Sequence, residues 1–256
     1  MQLNYSEQGV GDPVFLIHGL FGSLSNLGNL ARHLAADYRV ISVDLRNHGD
    51  SFHNSEMSLF SMAEDIVELM DSLQQPAAYF VGHSLGGKVV MQLAMTNAER
   101  VKGLVVVDIA PVDYEDNNIN IINNLYNLSN VDIKDRKTAD SYLSDQGVEL
   151  SVRAFLLKNL RRKSDGTFDL KLNIQAIKQH YKTQIAVAPK GKNFAGPCLF
   201  LKGEHSPYIE SQHLPIIQSI FPKSSVHTVE DVGHWLHAEK PDLFNQLVSQ
   251  FIGEIS

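Results

Sequence analysis

The residue that points most clearly to chemistry is Ser84, at the centre of a G-x-S-x-G pattern over residues 82–86. The apolar run 77–81 ends directly before the pattern, and a helix-like run, 88–95, follows it. A serine on such a strand-to-helix turn is held in strained backbone geometry, and glycines on either side let the strand and the helix pass closely. This context favours a nucleophile over a plain glycine-rich turn.

A serine hydroxyl becomes an effective nucleophile only when a base removes its proton, so a histidine is required. Of the eleven histidines, His234 is best placed, because it follows the last predicted strand and precedes a C-terminal helix that begins near Pro241. His237 is the alternative, although it should lie at the start of that helix. The spacing of the two histidines also resembles a pair of metal ligands. Since no further Cys or His set stands at a matching distance, neither a metal nor a cofactor is predicted.

The oxyanion that forms during attack needs two hydrogen-bond donors fixed in advance. The backbone N–H of Leu85, directly after the nucleophile, is predicted to be one of them. The second should come from the glycine-flanked turn after the strand Pro13–Ile17, where the amide of Leu20 is preferred over that of its neighbour Phe21. His18, in the same turn, is interpreted as a brace that holds the loop by hydrogen bonding.

The acid that orients the histidine does not stand in its commonest place. The loop after the predicted strand 198–201 reads Gly-Glu-His-Ser over residues 203–206, so Ser206 occupies the position where a G-x-x-D pattern has its aspartate. A serine cannot hold a negative charge against an imidazolium, so the acid must come from elsewhere. Ser206 itself is therefore expected to contribute little.

Asp108 is the best candidate for this acid. It ends the apolar run 104–107, which puts it at the same sheet edge as the nucleophile, one strand over. A carboxylate at the end of a buried run is costly unless it has a partner, so its position itself indicates a function. Glu204 and Asp113 are the alternatives.

The elements that must position these residues alternate regularly along most of the chain. Most of the predicted strands are continuously apolar, which is typical of strands buried on both faces of a parallel sheet. Amphipathic helices are predicted between them, and the clearest spans 58–74 with Ser58 as its N-cap. The order strand, helix, strand predicts a doubly wound, mostly parallel α/β sheet. The predicted strands are Pro13–Ile17, Arg39–Val43, 77–81, 104–107, 198–201 and 225–229.

The alternation breaks between residues 113 and 197, where helix-like patterns occur at Ile119–Leu128, 152–160 and 172–181. Such a segment is too long for a loop in a compact domain, so it predicts a helical insertion between two parts of the core, 1–112 and 198–256. We interpret the insertion as a cap over the active site, with a second structural lobe as the alternative. The residues predicted to face the substrate are Phe21, Ile119, Ile122, Leu125, Phe155, Leu156 and Trp235.

Six stretches together resemble the YbfF-type bacterial esterases of the α/β-hydrolase superfamily: 18–23, 44–49, 82–88, 108–114, 193–208 and 233–242. The resemblance extends over essentially the whole chain and is loosest in the predicted cap. It implies an α/β-hydrolase fold and the hydrolysis of acyl esters and acyl thioesters, including acyl-coenzyme A. It also implies Asp108 as the acid.

Composition narrows the possible partners. The net charge of −7 argues against nucleic acid or an anionic membrane, since both require a basic surface. Cys198 is the only cysteine, so no intrachain disulfide can form. We find neither a signal-peptide pattern nor an apolar run of the about 18 residues that a membrane span needs. These features predict a cytoplasmic location. The serine motif and the family resemblance add the expectation of a small-molecule acyl ester or thioester as substrate, cleaved through an acyl-enzyme intermediate.

The same fold also carries other functions. Dehalogenases and epoxide hydrolases need a carboxylate at the nucleophile position, so Ser84 excludes them. Carbon–carbon bond hydrolases and lyase-type members keep a serine triad and stay open as alternatives. A non-catalytic ligand-binding module is the third possibility, because a fold alone does not determine a function.

Overall fold

The structure, a computed structural model, describes residues 2–115 and 118–256, so two residues of the predicted cap, 116 and 117, lie outside the described residues. Its strands in chain order are β1 (Tyr5–Gln8), β2 (Pro13–Ile17), β3 (Arg39–Val43), β4 (Ala78–His83), β5 (Val101–Val107), β6 (Leu160–Arg162), β7 (Phe168–Leu170), β8 (Cys198–Gly203) and β9 (Ser224–Val229).

The α-helices of the described residues surround these strands. They are α1 (Gly28–Leu34), α2 (Leu59–Ser72), α3 (Leu85–Thr96), α4 (Ile119–Leu128), α5 (Arg136–Asp145), α6 (Leu150–Leu156), α7 (Ile174–His180), α8 (Leu214–Ile220), α9 (Leu236–Glu239) and α10 (Pro241–Ile255). None of them is both long enough and apolar enough to cross a bilayer.

Seven strands form one sheet in the order β1-β3-β2-β4-β5-β8-β9, and β1 alone runs antiparallel to its neighbour. The register aligns the carboxyl ends of the central strands, because His83 pairs with Val107 and Val107 pairs with Leu201. The loops that follow β4, β5 and β8 therefore leave the sheet at one edge. This topology confirms the predicted doubly wound, mostly parallel α/β sheet.

Apolar side chains cover the sheet on both faces. Along β2, Phe15 and Ile17 point to one hydrophobic cluster, while Val14 and Leu16 point to the other, as the two-residue period of a strand requires. The rings of Phe15 and Phe80 stack 5.4 Å apart in the first cluster. Burial on both faces explains why the strands have continuous rather than alternating apolar sequences.

The helix α2 begins as its sequence predicts. The side chain of Ser58 accepts a hydrogen bond from the amide of Ser61 at 3.0 Å, which satisfies one of the free N–H groups of the first turn. Such a cap contributes about 1 kcal/mol. The apolar face of α2 then packs against the sheet through Met62, Ile66 and Met70.

The insertion between β5 and β8 contains α4 to α7 and a short antiparallel hairpin of β6 and β7. Its helix α4 has the bounds that the periodicity predicts. Ile122 and Leu125 of this helix belong to the same apolar cluster as Phe80 of the sheet. The insertion is therefore packed onto the core, and its function as a cap stays a prediction.

Candidate active site

Ser84 occupies the turn between β4 and α3, in the left-handed backbone region with a φ of 53°. This conformation is costly for a residue other than glycine, and it persists because the strand and the helix around it are firmly packed. A Cβ on Gly82 would collide with the carbonyl of Gly86, and a Cβ on Gly86 would collide with the carbonyl of Ile17. The two glycines are thus needed for the close passage of strand and helix that exposes the serine.

Asp108 and His234 meet at the same sheet edge. Asp108 follows β5 directly and is completely buried, while His234 lies between β9 and α9. The Nδ1 atom of His234 and the Oδ2 atom of Asp108 are 2.7 Å apart. Because a carboxylate only accepts, Nδ1 carries the proton, and Nε2 is left as the basic nitrogen of the ring. The amide of Gly203 donates to the other carboxylate oxygen of Asp108 at 2.9 Å.

The hydroxyl of Ser206 also donates to Oδ2 of Asp108, the oxygen that His234 contacts. This bond, which was not predicted from the sequence, puts Ser206 in contact with the proposed acid, and the expectation that Ser206 contributes little stays to be tested. The sequence shows that Ser206 cannot replace an aspartate in charge, but it carries no signal that the hydroxyl bonds the carboxylate that follows β5. The alternative acids bond elsewhere: Glu204 accepts from the amide of Asp231, and Asp113 accepts from the amide of Ala188.

The loop after β2 lies against the nucleophile, since a Cβ on Gly19 would be 3.2 Å from the Cβ of Ser84. His18 accepts from the amide of Leu45 at 3.1 Å, and its Nδ1 donates to the Gly19 carbonyl at 2.8 Å. His18 thus connects the loop after β2 to the loop after β3. The amide of Phe21 donates to Nε2 of His48 at 3.3 Å.

This last bond bears on the choice of oxyanion donor. Because the Phe21 amide already has a partner, the bond favours Leu20 as the second donor. The amide of Leu85 belongs to the first turn of α3, where N–H groups lack a partner within the helix. Both donor assignments stay predictions.

A cavity of about 670 Å³ contains Ser84 and His234 in its lining. The predicted lining residues Phe21, Phe155, Leu156 and Trp235 are part of this surface, together with Leu20.

On α4 the cavity is lined by other residues than those predicted to face the substrate. Among the described residues Ile119, Ile122 and Leu125 do not line the cavity, and Asn118 and Ile121 do. Ile122 and Leu125 are fully buried on the inner face of the helix. Around the axis of α4, Ile119 lies on the same side as Ile122 and nearly opposite Ile121. Ile119 therefore faces away from the cavity.

Comparison with known proteins shows the family to which the chain belongs. The model of the alpha/beta hydrolase fold family matches residues 12–241. The chain belongs to the α/β-hydrolase fold family. It is similar to the esterase YbfF of Escherichia coli strain K12, with 37% identity over 94% of this chain and 93% of that protein. It is also similar to the sn-1-specific diacylglycerol lipase ABHD11 of Mus musculus, with 36% identity over 93% of this chain and 80% of the relative.

A solved structure described as a marine microorganism esterase has a TM-score of 0.92 to this α/β-hydrolase. Its sequence is 36% identical, and the alignment covers 98% of this chain and 99% of that one. The family resemblance that the motifs indicate is therefore confirmed, as is the α/β-hydrolase fold.

Aromatic rings surround His234 in this α/β-hydrolase, and sequence reasoning missed most of them. The ring of Tyr208 lies 4.3 Å from that of His234, and the ring of His83 lies 4.7 Å away on the cavity lining. The Nε2 atom of His83 donates to the main-chain carbonyl of His234 at 3.0 Å. The only sequence signals were the adjacency of His83 to the nucleophile and the place of Tyr208 two residues after Ser206.

Two further histidines, His83 and His237, lie beside His234 in the site. Burial lowers the pKa of His83 well below its usual range, and burial together with the nearby His234 lowers the pKa of His237 to about 4. Both rings are therefore neutral near pH 7. Since the carboxylate of Asp108 contacts His234, the arrangement favours His234 over His237 as the base.

Proposed function

We propose that this α/β-hydrolase cleaves carboxylic esters through an acyl-enzyme on Ser84, with His234 as the general base and Asp108 as its acid. The observation that carries the proposal is the 2.7 Å contact between His234 Nδ1 and Asp108 Oδ2, beside a cavity that also contains the strained serine. A histidine held in this tautomer can take a proton on Nε2 from the serine hydroxyl.

The reaction proceeds in two halves. Ser84 attacks the acyl carbon while its proton passes to His234, and the amides of Leu20 and Leu85 stabilise the oxyanion. The imidazolium of His234, which faces the Asp108 carboxylate, then gives its proton to the leaving alcohol. Water then attacks the acyl-enzyme while its proton passes to His234, and His234 returns that proton to the Ser84 oxygen as the ester bond breaks and the acid product leaves.

The relatives support an ester as the substrate. The Escherichia coli protein is named an esterase and the mouse protein an sn-1-specific diacylglycerol lipase, and both align with more than nine-tenths of this chain. The similar solved structure also carries the name esterase. These names speak for a carboxylic ester and leave the acyl chain and the alcohol open.

We extend the proposal to acyl thioesters as substrates, including acyl-coenzyme A. The cavity lining includes the exposed cations Arg32 and Lys158, and none of its described residues is acidic, although the chain has a net charge of −7. Two exposed cations in the cavity lining suit a leaving group that carries phosphates, as coenzyme A does.

The nucleophile is tested with a fluorophosphonate probe followed by peptide mass mapping. We expect one adduct, on Ser84, and no adduct in Ser84→Ala, whose unfolding temperature should match that of the parent because a small half-buried residue is replaced. Turnover of an activated ester should fall by about 10⁴-fold or more in this variant. An adduct on any other residue would contradict the assignment.

The leaving group is tested by comparing one acyl chain on p-nitrophenol and on coenzyme A. If the cations recognise phosphates, Arg32→Gln combined with Lys158→Gln should raise KM for the acyl-coenzyme A by about ten-fold and leave KM for the p-nitrophenyl ester within about two-fold. Equal effects on both substrates would remove the support for acyl-coenzyme A and leave the ester proposal intact.

A further inference from the structure

Lys88 is a buried cation that the proposed mechanism does not use. It lies on α3, one turn after Ser84, and its side chain is almost inaccessible to solvent. Its ammonium group donates three hydrogen bonds, to the main-chain carbonyls of Val112 at 3.0 Å, Ala186 at 2.7 Å and Val187 at 2.7 Å. A buried charge is costly unless it is fully bonded, and here each of the three N–H groups has an acceptor.

These three carbonyls belong to two separate crossings of the chain between the core and the inserted helices. Residues 112–114 lead into the insertion, and residues 186–188 lead back from it; we call the two segments together the neck. Within the neck, the amide of Tyr114 donates to the carbonyl of Ala186 at 2.8 Å. The amide of Ala188 donates to the carboxylate of Asp113 at 2.6 Å. Lys88 therefore bonds both segments at the point where they run side by side.

The neck also connects to the neighbourhood of His234. The ring of Tyr114 lies 4.7 Å from the Lys88 ammonium. The hydroxyl of Tyr114 accepts from the amide of Ala110 at 2.9 Å and donates to the carbonyl of Tyr208. The ring of Tyr208 packs against His234, so a shift of the neck would move Tyr208 relative to the proposed base.

We infer that Lys88 is a positioning residue that holds the two segments of the neck together and so fixes the inserted helices above Ser84. Charge-assisted hydrogen bonds are stronger than neutral ones, and one ammonium can bond three carbonyls from different directions. A methionine at the same place would remove this donor from the carbonyls of Val112 and Val187, and it would leave the carbonyl of Ala186 with the amide of Tyr114 alone. The cavity wall contributed by the insertion, including Ile121 and Phe155, would then lose its fixed position.

Gln92 offers a matched control, because it lies one turn further along the same helix face and is also buried. Its amide nitrogen donates to the carbonyl of Lys190 at 2.6 Å, and its oxygen accepts from the amide of Lys190 at 2.9 Å. The side chain of Gln92 thus bonds Lys190, which follows the returning segment, and neither segment of the neck. Gln92→Met removes a buried polar group from α3 without touching the entry to the insertion, whereas Lys88→Met removes the bonds to both segments.

The experiment is amide hydrogen exchange on the parent, Lys88→Met and Gln92→Met. Burial lowers the pKa of Lys88 to about 7, and the carboxylate of Asp113 opposes this shift, so the measurement is made near pH 6 where the ammonium is charged. In Lys88→Met the amides of Tyr114, Ala188 and α4 should exchange at least about ten-fold faster, with α2 unchanged. In Gln92→Met only the segment around Lys190 should exchange faster.

A kinetic comparison adds a readout that a loss of stability alone would not move. In Lys88→Met, kcat/KM for an octanoyl ester should fall about ten-fold further than kcat/KM for the acetyl ester, because only the longer chain reaches the displaced helices. Equal exchange in the two variants, or faster exchange throughout the core, would overturn the inference.

The parent protein alone gives a decisive measurement if Lys88→Met does not fold. In the parent, the amides of Tyr114 and Ala188 should be as protected as those of β5, and exchange at the rate of exposed loops would refute the role of Lys88. Because exchange does not depend on turnover, this result stands whether or not the protein hydrolyses esters.

Discussion

The sheet edge and the inserted helices enclose one cavity, but they hold their residues in different ways. At the sheet edge, the amide of Ser84 donates to the carbonyl of Val107, and the amide of Asp108 donates to the carbonyl of Leu201. The positions of both residues thus follow from main-chain bonds to the next strand. In the insertion, Ile121 reaches the cavity only because one face of α4 is turned toward it. Substitutions should therefore impair the chemical step at the edge and substrate selection in the insertion.

The largest effect within this comparison is expected for Asp108→Asn. An amide cannot stabilise the imidazolium and favours the wrong tautomer of His234, so kcat on an activated ester should fall on the order of 10²–10⁴-fold. The decrease should be the same for short and long acyl chains, because the defect lies in the chemical step.

Glu204→Gln is the control for Asp108→Asn, because Glu204 is exposed and bonds the amide of Asp231. Its kcat should stay within about two-fold of the parent. If Glu204→Gln were inactive and Asp108→Asn active, the acid would lie on the loop after β8.

A smaller effect at the same edge is expected for Ser206→Ala. The carboxylate of Asp108 would keep its bonds to Gly203 and His234 but lose a hydroxyl donor, and a hydrogen bond to a charged group contributes about 1.5–3 kcal/mol. We expect kcat to fall about ten-fold with little change in KM. Ser224→Ala is the control, because the hydroxyl of Ser224 has no hydrogen-bond partner among the described residues. Equal kcat values for the two variants would support the expectation that Ser206 contributes little.

The buried histidine His48, in the loop after β3, should make the stability of the protein depend on pH. Burial, together with the nearby His18, lowers the pKa of His48 from 6.5 to about 3. Between these values the unfolded state binds more protons than the folded state. The free energy of unfolding therefore falls as the pH drops from about 6.5 toward 3, and the contribution of neutral His48 is fully present above that range. The unfolding temperature of His48→Gln should be less sensitive to pH than that of the parent, while exposed His33→Gln should follow the parent. Parallel curves for parent and His48→Gln would contradict this.

The sheet edge could be predicted from the sequence because strand patterns and chain order determine it. Once the apolar run before Asp108 is identified as a central strand, the parallel topology brings its end beside the strand that precedes Ser84. The antiparallel strand β1 was missed, because Tyr5–Gln8 is half exposed and has no apolar run. The bond from Ser206 was missed because it joins two loops and leaves no periodic signal.

The inserted helices were harder to predict for a different physical reason. Helix α5 was missed because Ala139 and Leu143 are its only fully buried residues, so its amphipathic pattern is weak. The hairpin of β6 and β7 has only three residues in each strand. Even for α4, whose bounds are as predicted, periodicity identifies the apolar positions but does not tell which of them face the core and which face a cavity.

The smallest and most specific effect is expected for the pair Ile121→Ala and Ile119→Ala, which tests which apolar positions of α4 face the cavity. Both variants remove the same atoms from α4, and both side chains are half buried, so losses in stability should be similar. Ile121 lines the cavity, and Ile119 does not. Ile121→Ala should therefore shift the ratio of kcat/KM between octanoyl and acetyl esters by about three- to ten-fold, as expected for a few methylene contacts. Ile119→Ala should leave this ratio within about two-fold of the parent. If the two variants shifted the ratio equally, the effect would come from a general loosening of α4, and the separation between a chemical edge and a selective insertion would not hold.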